Sequence, residues 1–147
     1  MDEPNPSESP NADATPPDAD VLEAIAYADS LLPGIPASRD QKDNRWQAIL
    51  HVENYVETNP EEVWQFVRRW GSYPQEDLRD AIACCLLEHL LEVHFQLVFP
   101  RVEQAVRDDP IFADTWCRCW KLGQAEAVGH SEAFDNLRAW CKEAQRK

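Results

Sequence analysis

Glycine occurs only four times in 147 residues, at positions 34, 71, 123 and 129. Residues so far apart cannot assemble a Gly-rich phosphate loop, which disfavours nucleotide chemistry of that kind. Positive charge is missing from the first 38 residues, which carry eight acids and no Lys or Arg. That segment supplies much of the formal charge of -13, since the rest of the chain sets 19 acids against 14 bases. Basic residues cluster no further than pairs such as Arg68-Arg69, which argues against a nucleic-acid partner, because affinity for phosphates rests on grouped Lys and Arg. A basic protein partner suits the charge better. No apolar run reaches the roughly 18 residues that span a bilayer. The richest stretch, Leu86 to Phe99, is interrupted by Glu88, His89, Glu92 and His94, so no membrane association is expected. A C-x-x-C pair is also lacking. Five cysteines, an odd number, with no secretory signal before them imply reduced thiols and a cytoplasmic protein.

Proline is plentiful at the start. Residues 1–18, MDEPNPSESPNADATPPD, hold five prolines and no large apolar residue after Met1. Such a composition buries too little surface to offset the entropy of ordering, and a disordered acidic arm is expected there. A helical domain is expected over 19–147. Apolar residues recur at helical spacing from Asp20 onward and do not alternate as a strand would. Helices are predicted over 20–32, 40–57, 60–70, 75–98, 101–108, 110–122 and 132–145. Asn59-Pro60-Glu61-Glu62 and Asp109-Pro110 read as helix starts, with a capping side chain and a proline in the first turn. Ser131-Glu132 reads as another, and Pro74 and Pro100 are placed in first turns. Gly71 and Gly123 read as stops that accept positive φ. The fold class is all-α: a compact single-domain bundle of about six or seven helices without a sheet. An echo between NPEEVWQF and YPQEDLRDA suggests stacked helix pairs.

The stretch CCLLEHLLEVHF, Cys84–Phe95, joins cysteines, glutamates and histidines to apolar residues. On a helical wheel, Cys85, Glu88, His89 and Glu92 share a polar strip, while Cys84 and His94 fall on the apolar side. The strip is predicted to be solvated or to face a partner. His94 is predicted to be a core histidine held by a hydrogen bond to a backbone carbonyl, Tyr or carboxylate. A metal site would need ligands from other helices, and a di-iron bundle would need Glu-x-x-His twice, whereas HLLE runs in the reverse order and occurs once. No metal, cofactor or catalytic residue is assigned. The alternative is a small metal-dependent or thiol enzyme built on Cys85, His89 and Glu92. Cys117 and Cys119 point to opposite sides of their helix and cannot chelate together. Trp46, Trp70, Trp116, Trp120 and Trp140 fall on apolar arcs as core residues. Trp64 lies at the edge of its arc, which reads as a core-boundary position or, alternatively, as the anchor of an interface.

The residues Asn59-Pro60-Glu61-Glu62-Val63-Trp64, Leu86-Leu87-Glu88-His89, His94-Phe95 and Phe99-Pro100-Arg101 resemble a small all-helical bacterial family without an assigned activity, over roughly residues 45–122. The resemblance implies helix packing and a bacterial origin, and carries over no catalytic position. Together these readings point to a non-enzymatic helical domain that binds a protein. Its most concrete form is an immunity or antitoxin-like protein neutralising a basic partner, with Glu88, His89, Glu92 and Trp64 as contact residues. Complementary charge would speed such an encounter. A structural adaptor or accessory module is a further alternative, and self-association is compatible with either.

Overall fold

The computed structural model describes residues 19–36 and 42–145; the arm expected over 1–18 lies outside them. Helix α1 spans Ala19–Leu31, α2 Asn44–Glu53, α3 Pro60–Trp70 and α4 Glu76–Ile82. A π-helical segment, Ala83–Leu87, leads into α5, Glu88–Val93, followed by α6, Phe95–Asp108, and α7, Pro110–Cys117. A 3₁₀ turn, Gly123–Glu126, precedes α8, His130–Gln145. The fold is all-α, with no strand among the described residues.

Helices adjacent in sequence pack in pairs, α1 on α2, α3 on α4 and α6 on α7, around the π-helical segment, which touches α2, α3, α4, α5 and α7. Leu86, Leu87, Leu90 and Leu91 of this central element are buried. On one side the core is aromatic. Phe95 stacks on Phe99 at 4.7 Å between ring centroids, Phe99 meets Trp116 edge-on, and Trp116 meets Phe134 at 4.5 Å. Such offset and edge-on pairs add to the area they bury.

Several helix ends follow their sequence signals. The Asp109 carboxylate accepts the N–H groups of Ile111 and Phe112, and Pro110 occupies the first turn of α7. Other ends differ. Asn59 precedes α3, but its side chain accepts the Thr58 hydroxyl instead of capping the helix. Pro74 lies before α4, which starts at Glu76. Pro100 falls inside α6, where the exposure of both Gln96 and Pro100 leaves the interrupted hydrogen-bond position on the solvent face. Gly71 ends α3 with φ -67, in the ordinary helical region. Glycine is needed there for closeness: a Cβ would lie 2.6 Å from the Val67 carbonyl oxygen and 3.0 Å from the Phe112 ring. Gly123 does take positive φ, +52, but it opens the 3₁₀ turn, because α7 has already ended at Cys117.

The predicted helix over 75–98 is divided twice. Within Ala83–Leu87 the Glu88 N–H reaches back to the Ala83 carbonyl, a π turn that inserts one extra residue. At His94 the backbone leaves the helical region, with φ -136 and ψ 44. Gln124 seals this second break: its side-chain amide donates to the Val93 carbonyl at 2.8 Å and accepts the Phe95 N–H at 3.0 Å. One side chain thus satisfies an orphan carbonyl of α5 and an orphan N–H of α6.

Candidate functional site

The π turn changes which groups of Cys84–Phe95 face the core. A wheel drawn at a constant 100° per residue loses its phase across such a turn. Cys84 is therefore exposed and Cys85 buried, the reverse of the sequence expectation. Burial, reinforced by Glu53, Cys84 and Glu88, pushes the Cys85 thiol up to about 12. Cys85 is consequently a protonated core thiol at neutral pH. Glu88, expected on a solvated strip, is only 8 % exposed. Its carboxylate accepts the Trp120 backbone N–H at 2.8 Å, and burial raises its pKa despite that bond.

His89 and Glu92 do come together, and a third residue joins them. His89 Nδ1 lies 2.8 Å from Glu92 Oε1, and His89 Nε2 lies 3.2 Å from Glu53 Oε2 at the end of α2. Both contacts can be donated hydrogen bonds only when the ring is an imidazolium, because a neutral ring carries one N–H. Glu53 falls inside the helix predicted over 40–57, whereas the structure ends α2 there, and nothing in its spacing reveals that it meets α5. Among the described residues no group of three or more His, Cys, Asp or Glu side chains is arranged to hold a metal ion.

His94 is half-buried at the helix break, and its Nε2 faces the Glu57 carbonyl oxygen at 3.0 Å. The expected backbone partner is present, but the ring sits at a junction instead of inside a continuous apolar arc. Beside it, His130 stacks on Phe95 at 4.3 Å and pairs through Nδ1 with the Gln124 carbonyl. Val93, His94, Gln96, Leu97, Gln124 and His130 line an open groove here.

The tryptophans exchange roles. Trp64 is buried at 8 % exposure and meets Phe112 edge-on, so it is a core residue and not a rim anchor. Trp120, expected on an apolar arc with Trp116, is 72 % exposed. The reason is the end of α7 at Cys117, after which helical spacing no longer describes where side chains point. Trp46 and Trp140 are also partly exposed. The segment carrying Trp120 is fixed against α5 along the strip. Glu88 holds the Trp120 N–H, and Gly123 packs so closely on Glu92 that a Cβ would lie 2.5 Å from Glu92 Cγ. Trp120 thus carries an exposed indole on a backbone anchored to Glu88, and lines a cleft with Lys121, Phe134, Asp135 and Arg138.

The opposite end of α2 is organised by Arg45. All five of its N–H positions are engaged: Nε and Nη2 with the Asp43 carboxylate, Nη2 also with Asp77, and Nη1 with Gln75 and the Pro33 carbonyl. The side-chain hydrogen bond from Arg45 holds Asp43 below its ordinary pKa. A cavity of about 210 Å³ lies beside this network, lined also by Trp46, Ile49, Leu78 and Ala81. The guanidinium is saturated, so its work is to tie the segment before α2 to the start of α4.

Comparison with curated proteins and with solved structures returns no match. The model of DUF6869, a family of unknown function, matches residues 35–130, a span that includes Arg45, the π turn, the His94 break and Trp120; the chain belongs to that family.

Proposed function

We propose that the protein is a non-enzymatic binding domain whose docking residues include Trp120 and the Glu53–His89–Glu92 cluster, and whose partner is a basic protein. The observation that carries this reading is the exposed Trp120 side chain on a backbone held by Glu88. A large aromatic side chain on a rigid support loses little entropy on binding and makes a strong anchor. Charge supports the same direction. Arg45, Arg68, Arg69, Arg79, Arg101, Arg107 and Arg118 each pair with a carboxylate of this chain. Cations committed in this way leave the surface to the excess acids, which favours encounter with a basic protein at low salt.

The specific form we favour is an immunity or antitoxin-like protein of a bacterial cytoplasm that covers a basic toxin. The test is capture from the native host on immobilised full-length protein, with a salt series. A stoichiometric basic partner, released by salt and lost with Trp120→Ala, is the expected outcome. Capture that is indifferent to both salt and Trp120→Ala overturns the assignment. The enzyme alternative on Cys85, His89 and Glu92 gains no support from the buried, protonated Cys85 thiol.

A further inference from the structure

Alone among the described arginines, Arg138 pairs with no carboxylate of the described residues. It is nevertheless held in place. Nη2 donates to the Cys119 carbonyl at 2.6 Å and to the Trp116 carbonyl at 3.5 Å, at the end of α7. The guanidinium also lies over the Phe134 and Trp116 rings, 5.0 and 5.5 Å from their centroids. Carbonyl dipoles and aromatic quadrupoles orient a cation and offset part of its desolvation, but neither carries a net charge that neutralises it. Nε is enclosed without a partner, whereas Nη1, which also has no hydrogen bond among the described residues, is not enclosed. One arm of the fork is thus uncommitted.

Arg138 lines the Trp120 cleft, which has a volume of about 380 Å³. The other charged groups of that lining are already engaged. Lys121 Nζ lies 2.9 and 3.0 Å from the two Asp135 oxygens, and Arg118 pairs with Asp80 and Asp114. A single positive charge therefore stands uncompensated in the cleft, on a chain whose formal charge is -13. One such charge calls for a monoanion. The volume lies at the lower end of the roughly 300–1,000 Å³ typical of small-molecule sites. Trp120, exposed on a backbone fixed by Glu88, adds an aromatic surface to the same lining.

We propose that this cleft binds a small aromatic carboxylate, with Arg138 Nη1 donating to the carboxylate and the Trp120 indole packing on the aromatic ring. The charge-assisted hydrogen bond orients the ligand, and the ring contact supplies buried area. Inorganic phosphate suits the cleft less well. A phosphate group carries about -1.5 to -2 charges at neutral pH, more than the one uncompensated cation, and has no apolar surface to set against Trp120. This inference goes beyond the docking reading, because it concerns a small molecule and stands whether or not a protein partner is captured.

The test titrates the full chain with phenylacetate and follows the Trp120 indole N–H by NMR, with phenylacetamide, acetate and inorganic phosphate as separate arms. Phenylacetate should shift that resonance saturably. The amide, which keeps the shape but not the charge, should bind about tenfold more weakly or worse. Acetate and phosphate should not saturate over the same concentrations. Arg138→Gln should bring the ratio of acid to amide affinity close to one. Trp120→Ala, followed through the ligand resonances, should weaken phenylacetate while keeping the preference for the acid. Equal binding of acid and amide, an acid preference that survives in Arg138→Gln, tighter binding of phosphate than of phenylacetate, or no saturable shift with phenylacetate overturns the proposal. Circular dichroism of each variant identifies loss of fold separately. If Arg138→Gln does not fold, Arg138→Lys, which keeps the charge without the fork, takes its place and should lower the acid preference; an undiminished preference in that variant overturns the assignment of Nη1.

Discussion

The Glu88 carboxylate accepts the backbone N–H of Trp120 at 2.8 Å across 32 residues of sequence. A single buried acid thereby positions the segment after α7, and with it the exposed indole. Glu88→Ala should leave that N–H without its partner and cost about 1–3 kcal/mol in urea unfolding. Glu88→Gln retains an acceptor. The Glu88 pKa is raised in the folded protein, so the fold favours its protonated form. Its ionisation therefore subtracts stability as pH rises from the ordinary value of 4.5 through the folded value. The stability of Glu88→Gln relative to the parent should accordingly improve across that rise, as read from unfolding midpoints at each pH.

Arg45 engages three side chains and a backbone carbonyl with one planar group. Arg45→Lys preserves the charge but cannot reproduce the fork. Arg45→Ala removes the cation that compensates the Asp43 and Asp77 carboxylates. We expect a loss of about 3–5 kcal/mol for the alanine variant, with lysine recovering less than half, measured by chemical denaturation.

Gly71 provides a test of why a glycine is present. Its φ of -67 suits any residue, so a purely conformational role would make alanine neutral or slightly stabilising. The contacts with the Val67 carbonyl and the Phe112 ring predict the opposite sign. Gly71→Ala should destabilise by about 1–3 kcal/mol, as overpacking does, and lower the melting temperature.

Asp114 joins Arg79 and Arg118, with Nη2 of each 2.9 Å from its carboxylate. Although burial opposes it, hydrogen bonding from Arg118 and Arg79 holds the Asp114 pKa below 3.8. The contribution is present above that ordinary value and is lost as pH falls through the lower folded value. Asp114→Asn should cost about 1 kcal/mol at pH 7. The difference between variant and parent should shrink as pH falls from 3.8 and vanish below the lower folded value, when melting is followed by circular dichroism.

Trp64 and Trp120 should behave oppositely. Trp64→Ala empties a core position and is expected to cost about 3–5 kcal/mol. Trp120→Ala should leave unfolding within about 0.5 kcal/mol of the parent, as exposed substitutions do, while weakening partner capture. Loss of stability without loss of capture in Trp120→Ala would assign the indole to folding.

The sequence alone determined the helical class, because spacing of about 3.6 residues and short polar connections persist from Asp20 onward. It also determined the Asp109-Pro110 start and the burial of Leu86, Leu87, Leu90 and Leu91, all of which depend on local chemistry or on one face of one helix. Tertiary structure decided the π turn at Ala83–Leu87, the break at His94 and the end of α7 at Cys117. Two of these involve partners distant in the chain: Gln124 supplies the hydrogen bonds that seal the break at His94, and Glu88 secures Trp120 beyond the end of α7. Once those partners divide the helices, angular bookkeeping from one end no longer predicts orientation. That is why Cys84 and Cys85 exchanged environments and why Trp120 reached the surface; Trp64, on the undivided α3, is buried because Phe112 of α7 packs against it.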